Sequence, residues 1–219
     1  MNREGAERFE ALLDDHERRL AERRPSVSVV SVSDRVVSIG VGAALSAAVE
    51  RALRAERIPL VRRRSGGLAV LHSPGDLVWS IVAPLADRRV GSDYVRAYDR
   101  LGGAVVEALE ATGRSGARWT AAPAVSSGYC LLGPRGLVVQ WNGRVVGGAA
   151  QHRRGEMLLH HGILVRHVDR PLLTRLFFAG DPSLPDRLGG IDDTDGGLAP
   201  FPATALEDEL ARAWSPSRP

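Results

Sequence analysis

An α+β fold, with a mixed β-sheet flanked by helices, is predicted by three observations. Short β-branched or alternating apolar runs recur between residues 26 and 164. Amphipathic stretches with helical spacing lie before, between and after them. Asn142-Gly143, set between two apolar runs, is the strongest hairpin signal in the chain. No repeat or second pattern divides the 219 residues, so 1–219 reads as one domain with its core over about 25–170.

The elements follow in order. Residues 3–23 place Phe9, Leu12, Leu13, His16 and Leu20 on one helical face, and Pro25 ends that helix. Residues 26–33 alternate Ser and Val as a half-buried strand does, with 35–39 as the expected hairpin partner. The Ala- and Arg-rich stretch 43–57 predicts a second helix, stopped before Pro59. Residues 60–63 and 68–72 read as strands on either side of a Ser-Gly-Gly turn, and 77–82 as a buried strand. Ser92 is the expected cap of a long helix with a stripe of Tyr94, Tyr98, Leu101, Val105 and Leu109. Gly102 and Gly103 inside it cost about 1 kcal/mol each relative to Ala, which predicts close packing against the sheet. Residues 180–200, rich in Gly, Asp and Pro, read as a loop, and Thr204 with Glu207 predicts a capping box for a short C-terminal helix.

Composition narrows the function. Hydrophobic residues make up 44% and charged residues 25%, the balance of an ordinary globular chain. No apolar run reaches bilayer length and the N-terminus is charged, so no membrane partner is expected and the location is read as cytoplasmic. The net charge of +3 arises from interspersed signs, which gives no footprint for nucleic acid. A single cysteine excludes an intrachain disulfide and a Cys-based zinc site. The acidic run Asp192-Asp193-Thr194-Asp195-Gly196 lacks the downstream Glu of an EF-hand and reads as a solvated turn. His160 and His161 are neighbours on a strand and so face opposite ways; no metal site is expected. All 29 basic residues are arginine, so this chain has no lysine amine for catalysis or acylation.

The densest chemistry lies in Leu60-Val61-Arg62-Arg63-Arg64-Ser65-Gly66-Gly67-Leu68-Ala69-Val70-Leu71-His72. Two adjacent glycines let the backbone approach a ligand, and the arginines offer planar donors for a carboxylate or phosphate. On the residues alone, a hairpin turn with solvated arginines is the favoured reading, as are core roles for His72 and His161. A second block runs Gly136-Leu137-Val138-Val139-Gln140-Trp141-Asn142-Gly143-Arg144-Val145-Val146-Gly147-Gly148-Ala149-Ala150-Gln151-His152, followed by His160-His161-Gly162-Ile163-Leu164.

Together these blocks resemble the lipoate–protein ligase and octanoyltransferase family, of the biotin/lipoate ligase-like, class II synthetase-like fold. Its Arg-Arg-x-Ser/Thr-Gly-Gly-Gly-Ala-Val loop leads to a His. A Gly-Arg-Lys-x-x-Gly-Ser-Ala-Gln hairpin and a His-Gly strand follow. The resemblance implies a ligand site around Arg63, Ser65, Gly66, Gly67, His72, Arg144, Val145, Gly148, Ala149 and His161. It implies lipoate, octanoate or their adenylate as ligand, with no permanently bound cofactor. The implied reaction moves a lipoyl or octanoyl group onto the lysine of a lipoyl carrier domain, as in 2-oxoacid dehydrogenase E2 or the glycine cleavage H protein. Acyl carrier protein is a further implied partner.

The chain departs from that pattern in four places. The third loop glycine is Leu68, and an upstream Gly-Arg-x-Gln is Gly40-Val41-Gly42-Ala43. An Asn-Asp pair before the hairpin strand is Arg135-Gly136. The family's lysine, which contacts the acyl carbonyl and the adenylate phosphate, is Val145. Some octanoyltransferases of the family carry a nucleophilic cysteine just before the hairpin, which makes Cys130 the candidate catalytic residue, with His72, His161 or Arg135 to activate it. A small buried thiol is the alternative for Cys130. An inactive relative that binds an acyl ligand or a carrier domain is the alternative for the whole chain.

Overall fold

A computed structural model describes residues 3–87, 90, 93–123, 125, 128–133, 136–193 and 198–214. Helix α1 (Arg3–Ala21) buries Phe9, His16 and Leu20, the face its spacing predicts. Strands β1 (Ser26–Ser31) and β2 (Val36–Ile39) follow, then α2 (Ala47–Ala55), whose N-cap Ser46 accepts from the Val49 N–H. Next come β3 (Leu60–Arg62), β4 (Val70–His72), β5 (Leu77–Pro84) and α3 (Tyr94–Ala111). Strand β6 (Arg118–Ala121) precedes a 3-10 turn at Cys130–Leu132 and the run β7 (Leu137–Trp141), β8 (Arg144–Arg154) and β9 (Met157–Leu164). Helix α4 (Arg170–Phe177), a second 3-10 turn (Leu184–Arg187) and α5 (Ala203–Trp214) complete the described chain.

The strands form two sheets. Six run antiparallel in the order β1-β5-β9-β8-β7-β6, and three form the order β3-β2-β4. Only the small sheet is mixed: β2 pairs parallel with β3 and antiparallel with β4. One face of the large sheet buries Trp79, Ile81 and Leu164 against α3 and α5. Its other face packs Val138, Val145 and Ile163 with residues of the small sheet, α2 and α4. Helix α1 joins both sheets, since Phe9 clusters with Val36 and Val61 of the small sheet and Val78 of the large one.

The hairpin expected of β1 and β2 does not form. β1 pairs with β5, where the Ser28 and Ser80 hydroxyls bond at 2.8 Å, while β2 is buried throughout as the centre of the small sheet. An alternating strand suits an edge, and a continuously apolar one suits a centre. β3 and β4 flank β2 and do not pair with each other. The cap of α3 is Asp93, whose side chain accepts from the Val95 and Arg96 N–H groups; Ser92 and the Tyr94 side chain lie outside the described residues. Thr204 falls inside α5, one residue past its start, so the expected capping box is not at the helix boundary.

Other expectations hold. A Cβ on Gly102 would lie 2.2 Å from the Trp119 ring of β6, so only glycine lets α3 approach the sheet there. Asn142 and Gly143 turn between β7 and β8 with φ of 49° and 73°, as a type I′ hairpin requires. The acidic run is a correction. Asp192 is buried between Arg114 (3.0 Å) and Arg166 (2.7 Å) instead of solvated, and residues 194–197 lie outside the described part.

Candidate functional site

The small sheet lies over β8 and β9, and a cavity of about 340 Å³ remains between them. Its walls come from the loop between β3 and β4, the 3-10 turn that begins at Cys130, and the glycine- and alanine-rich middle of β8. The polar side chains that line it are Ser38 of β2, Arg63 just after β3, His72 of β4, Tyr98 of α3, Gln151 of β8 and His161 of β9, with Cys130 from the 3-10 turn.

Arg63 is the centre of the polar wall. It is 6% exposed and donates to Ser38 Oγ (3.0 Å) and to the carbonyls of Gly66 (3.0 Å) and Leu68 (2.8 Å). Those bonds curl the loop around its own guanidinium. Among the described residues no carboxylate pairs with Arg63. Burial draws the guanidinium below its ordinary value, and the neighbouring Cys130 side chain opposes this.

Gly67 separates these two groups. A Cβ on it would stand 2.8 Å from Arg63 Nη2 and 3.0 Å from Cys130 Sγ, and its φ of +96° also favours glycine. Gly40, at the end of β2, supports the loop from beneath, where a Cβ would lie 2.2 Å from the Gly67 carbonyl oxygen. The cysteine is fixed by its backbone, since its N–H donates to Ala69 O at 2.7 Å. Tyr129, 2% exposed and packed on Phe177 and Phe178, anchors the residue before it.

Three histidines of this region, His72, His160 and His161, are buried and neutral. His72 Nε2 bonds Ser38 Oγ at 2.8 Å, and its ring packs at a tilt on Phe9, centroids 4.5 Å apart. Burial, with the charge of Arg63 adding to it, lowers His72 to about 3. His161 bonds Ser65 Oγ at 2.7 Å and is held well below its ordinary value, again chiefly by burial. His160 points to the opposite face, against Trp79 and Tyr98.

Of the residues singled out in the sequence, Arg63, Gly66, Gly67, His72, Cys130, Gly148, Ala149 and His161 line this one cavity. Ser65 stands behind it, buried against His161 and facing a smaller recess beneath α1. Arg144 and Val145 do not line it, which corrects their expected place. Val145 is fully buried in the apolar cluster beside Leu188, and Gly189 N–H donates to its carbonyl at 2.9 Å. Arg144 is exposed, with its stem against Gly189. Leu68 also stays out of the lining, close to Gly133. Arg135 lies outside the described residues.

Sequence reasoning missed Ser38, Val70, Val78 and Tyr98, all of which line the cavity. Ser38 did leave a signal: it is the lone polar residue in the buried run Val36–Ile39. Among the described residues no group of three His, Cys, Asp or Glu is placed to hold a metal ion, and no helix is long and apolar enough to cross a membrane.

Residues 9–215 match the family described as the lipoyl protein ligase A/B catalytic domain. Octanoyltransferase LipM of Moorella thermoacetica is 31% identical over 167 residues, 71% of this chain and 58% of that protein. LipM of Carboxydothermus hydrogenoformans is 31% identical over 120 residues, 54% of this chain and 44% of that one. The chain thus spans about half the length of the curated relatives it matches. Among solved structures, lipoate-protein ligase A bound with ATP shares the fold at a TM-score of 0.71 and 24% identity, covering 93% of this chain and 78% of that one. The bipartite lipoate protein ligase of Thermoplasma acidophilum, solved in a study of that ligase and its E2 lipoyl domain, gives 0.58 at 25% identity over 88% and 70%. By the match across nearly its whole length, the chain belongs to the lipoyl protein ligase A/B catalytic-domain family.

Proposed function

We propose that the chain transfers an octanoyl or lipoyl group from a preformed thioester donor to the lysine of a lipoyl carrier domain, by way of Cys130. The observation that carries this reading is a buried guanidinium without a carboxylate, Arg63, set beside the single cysteine at the wall of a largely apolar cavity. A buried unpaired cation is costly unless its site receives negative charge. A thiolate or the oxygen of a reacting acyl carbonyl supplies that charge.

The chemistry balances without a lysine on this chain. Cys130 thiolate attacks the donor carbonyl, a new thioester forms, and the donor thiolate leaves. The acceptor amine then attacks the Cys130 thioester, forming an amide and releasing the cysteine sulfur, while the proton of the acceptor ammonium passes to solvent. Arg63 stabilises the oxyanion of both tetrahedral states, a role worth about 10²–10³ in rate for one donor. The acceptor lysine belongs to the partner, a lipoyl domain of 2-oxoacid dehydrogenase E2 type or an H protein. Acyl carrier protein is the proposed donor, and the reaction is placed in the cytoplasm with no permanently bound cofactor.

A second reading is favoured by Val145. Valine offers no amine and is buried in the apolar cluster, and on this reading the cavity binds an acyl group without transferring it. Intact mass of an apo lipoyl domain, incubated with this protein and octanoyl-acyl carrier protein, separates the two. Acylation above the rate without the protein supports transfer. Background acylation, with octanoate still bound, supports the binding protein.

A further inference from the structure

The cavity has a direction. At one end Gly66, Gly67 and Gly136 are exposed and Ala149 and Ala150 partly so. At the other, Ser38, Val70, His72 and Val78 are 2%, 7%, 6% and 3% exposed. Cys130, partly exposed, belongs to the open end, where an acceptor side chain can reach it. An acyl group on its sulfur leaves solvent only by extending inward, and the buried lining on that side includes Val78 and His72.

That end has a rigid backing. Val78 lies on β5, paired on both sides, in register with Val30 of the edge strand β1 and with Ile163 of β9. Its side chain packs with Phe9, Val36 and Val61, and the Phe9 ring also packs at a tilt on His72. His72 is tied by Ser38, which is tied in turn to Arg63. The wall is thus built from both sheets and covered by α1, and close-packed interiors do not yield a methylene without cost.

We infer that Val78, backed by the contact of Phe9 with His72, is the stop that sets how long an acyl chain the cavity accepts. This rests on the reading of the cavity as an acyl site, and it adds the residue that determines specificity. Valine to alanine frees the space of about two methyl groups, whereas valine to isoleucine takes up one more.

The test is the dissociation constant of straight-chain fatty acids from hexanoate to tetradecanoate with the full chain, Val78→Ala and Val78→Ile, each checked for native circular dichroism. Affinity of the unaltered protein should rise about fourfold per methylene, equivalent to ~0.8 kcal/mol, up to a limiting length and then level off or fall. Val78→Ala should move that limit outward by one or two carbons, and Val78→Ile should draw it inward by one. Limits that coincide in the three proteins overturn the stop, while transfer, read separately on the carrier domain, still stands. No saturable binding at any chain length overturns the acyl-site reading on which the stop rests.

Discussion

Arg63 and Cys130 meet across Gly67, whose missing side chain leaves room for the guanidinium and the sulfur to face each other. Gly67→Ala should therefore do more than strain a backbone at φ +96°. The new methyl would separate the two groups, with a folding cost of about 1–3 kcal/mol from the left-handed conformation. Carrier acylation should fall by more than about tenfold, while Gly66→Ala, with nothing within 4 Å of its Cβ position, should fall far less. Equal losses in the two variants would argue against the Arg63 and Cys130 contact.

Ser38 ties Arg63 to His72 through one hydroxyl. Ser38→Ala leaves both partners buried with an unmet hydrogen bond, a cost of about 1–3 kcal/mol. The expected result is a lower urea midpoint together with slower transfer; Ser38→Thr, which keeps the hydroxyl, should recover most of the rate.

The buried histidines predict a stability that falls in acid. Burial, the first cause in each case, lowers His16 to about 4 and His72 and His160 to about 3, below their unfolded value of 6.5. Between those values the unfolded chain binds more protons, so folding weakens as pH drops from 6.5 toward 4. Asp76 acts oppositely: burial raises it to about 7 from 3.8, so the folded chain holds its proton across that range and gains stability as pH falls. His161, lowered for the same reason, adds to them, so four histidines outweigh one aspartate, giving a net slope on the order of 4 kcal/mol per pH unit at its steepest. Urea midpoints from pH 4 to 8 should rise and then level near neutrality, and Asp76→Asn should steepen the rise.

Arg114, Asp192 and Arg166 form a buried knot that also binds the chain at Ala199 and Phe201. Asp192→Asn should cost about 3–5 kcal/mol, because two guanidinium groups lose their only common carboxylate. The denaturant midpoint is the measure; no change would mean that the carbonyl oxygens around Arg114 satisfy it alone.

Much of this was legible in the sequence, and the reasons differ by residue. Asn142 and Gly143 announce their hairpin because few residue pairs accept two positive φ angles. Arg63, Gly66, Gly67 and His72 lie close together in the chain, so one motif carries one wall of the cavity. The pairing of β1 with β5 was not legible, because sheet partners far apart in sequence are chosen by burial on both faces. Ser38 and Val78 were missed for the same reason: each is an ordinary residue on a strand, made part of the site by the strand that packs across from it. Asp192 reads as solvent-facing in an acidic run, yet two distant arginines bury it. Val145 marks the limit of motif transfer, since the motif implies a place at the ligand while the structure buries it in the apolar cluster outside the cavity lining.

The most direct measurement is the intact mass of the protein itself after brief exposure to octanoyl-acyl carrier protein, with and without an apo lipoyl domain. A single octanoyl adduct is predicted, lost in Cys130→Ala, released by neutral hydroxylamine and passed to the lipoyl domain when that is added. Carrier acylation that persists in folded Cys130→Ala, or an unaltered protein that never gains the adduct, would contradict transfer through Cys130.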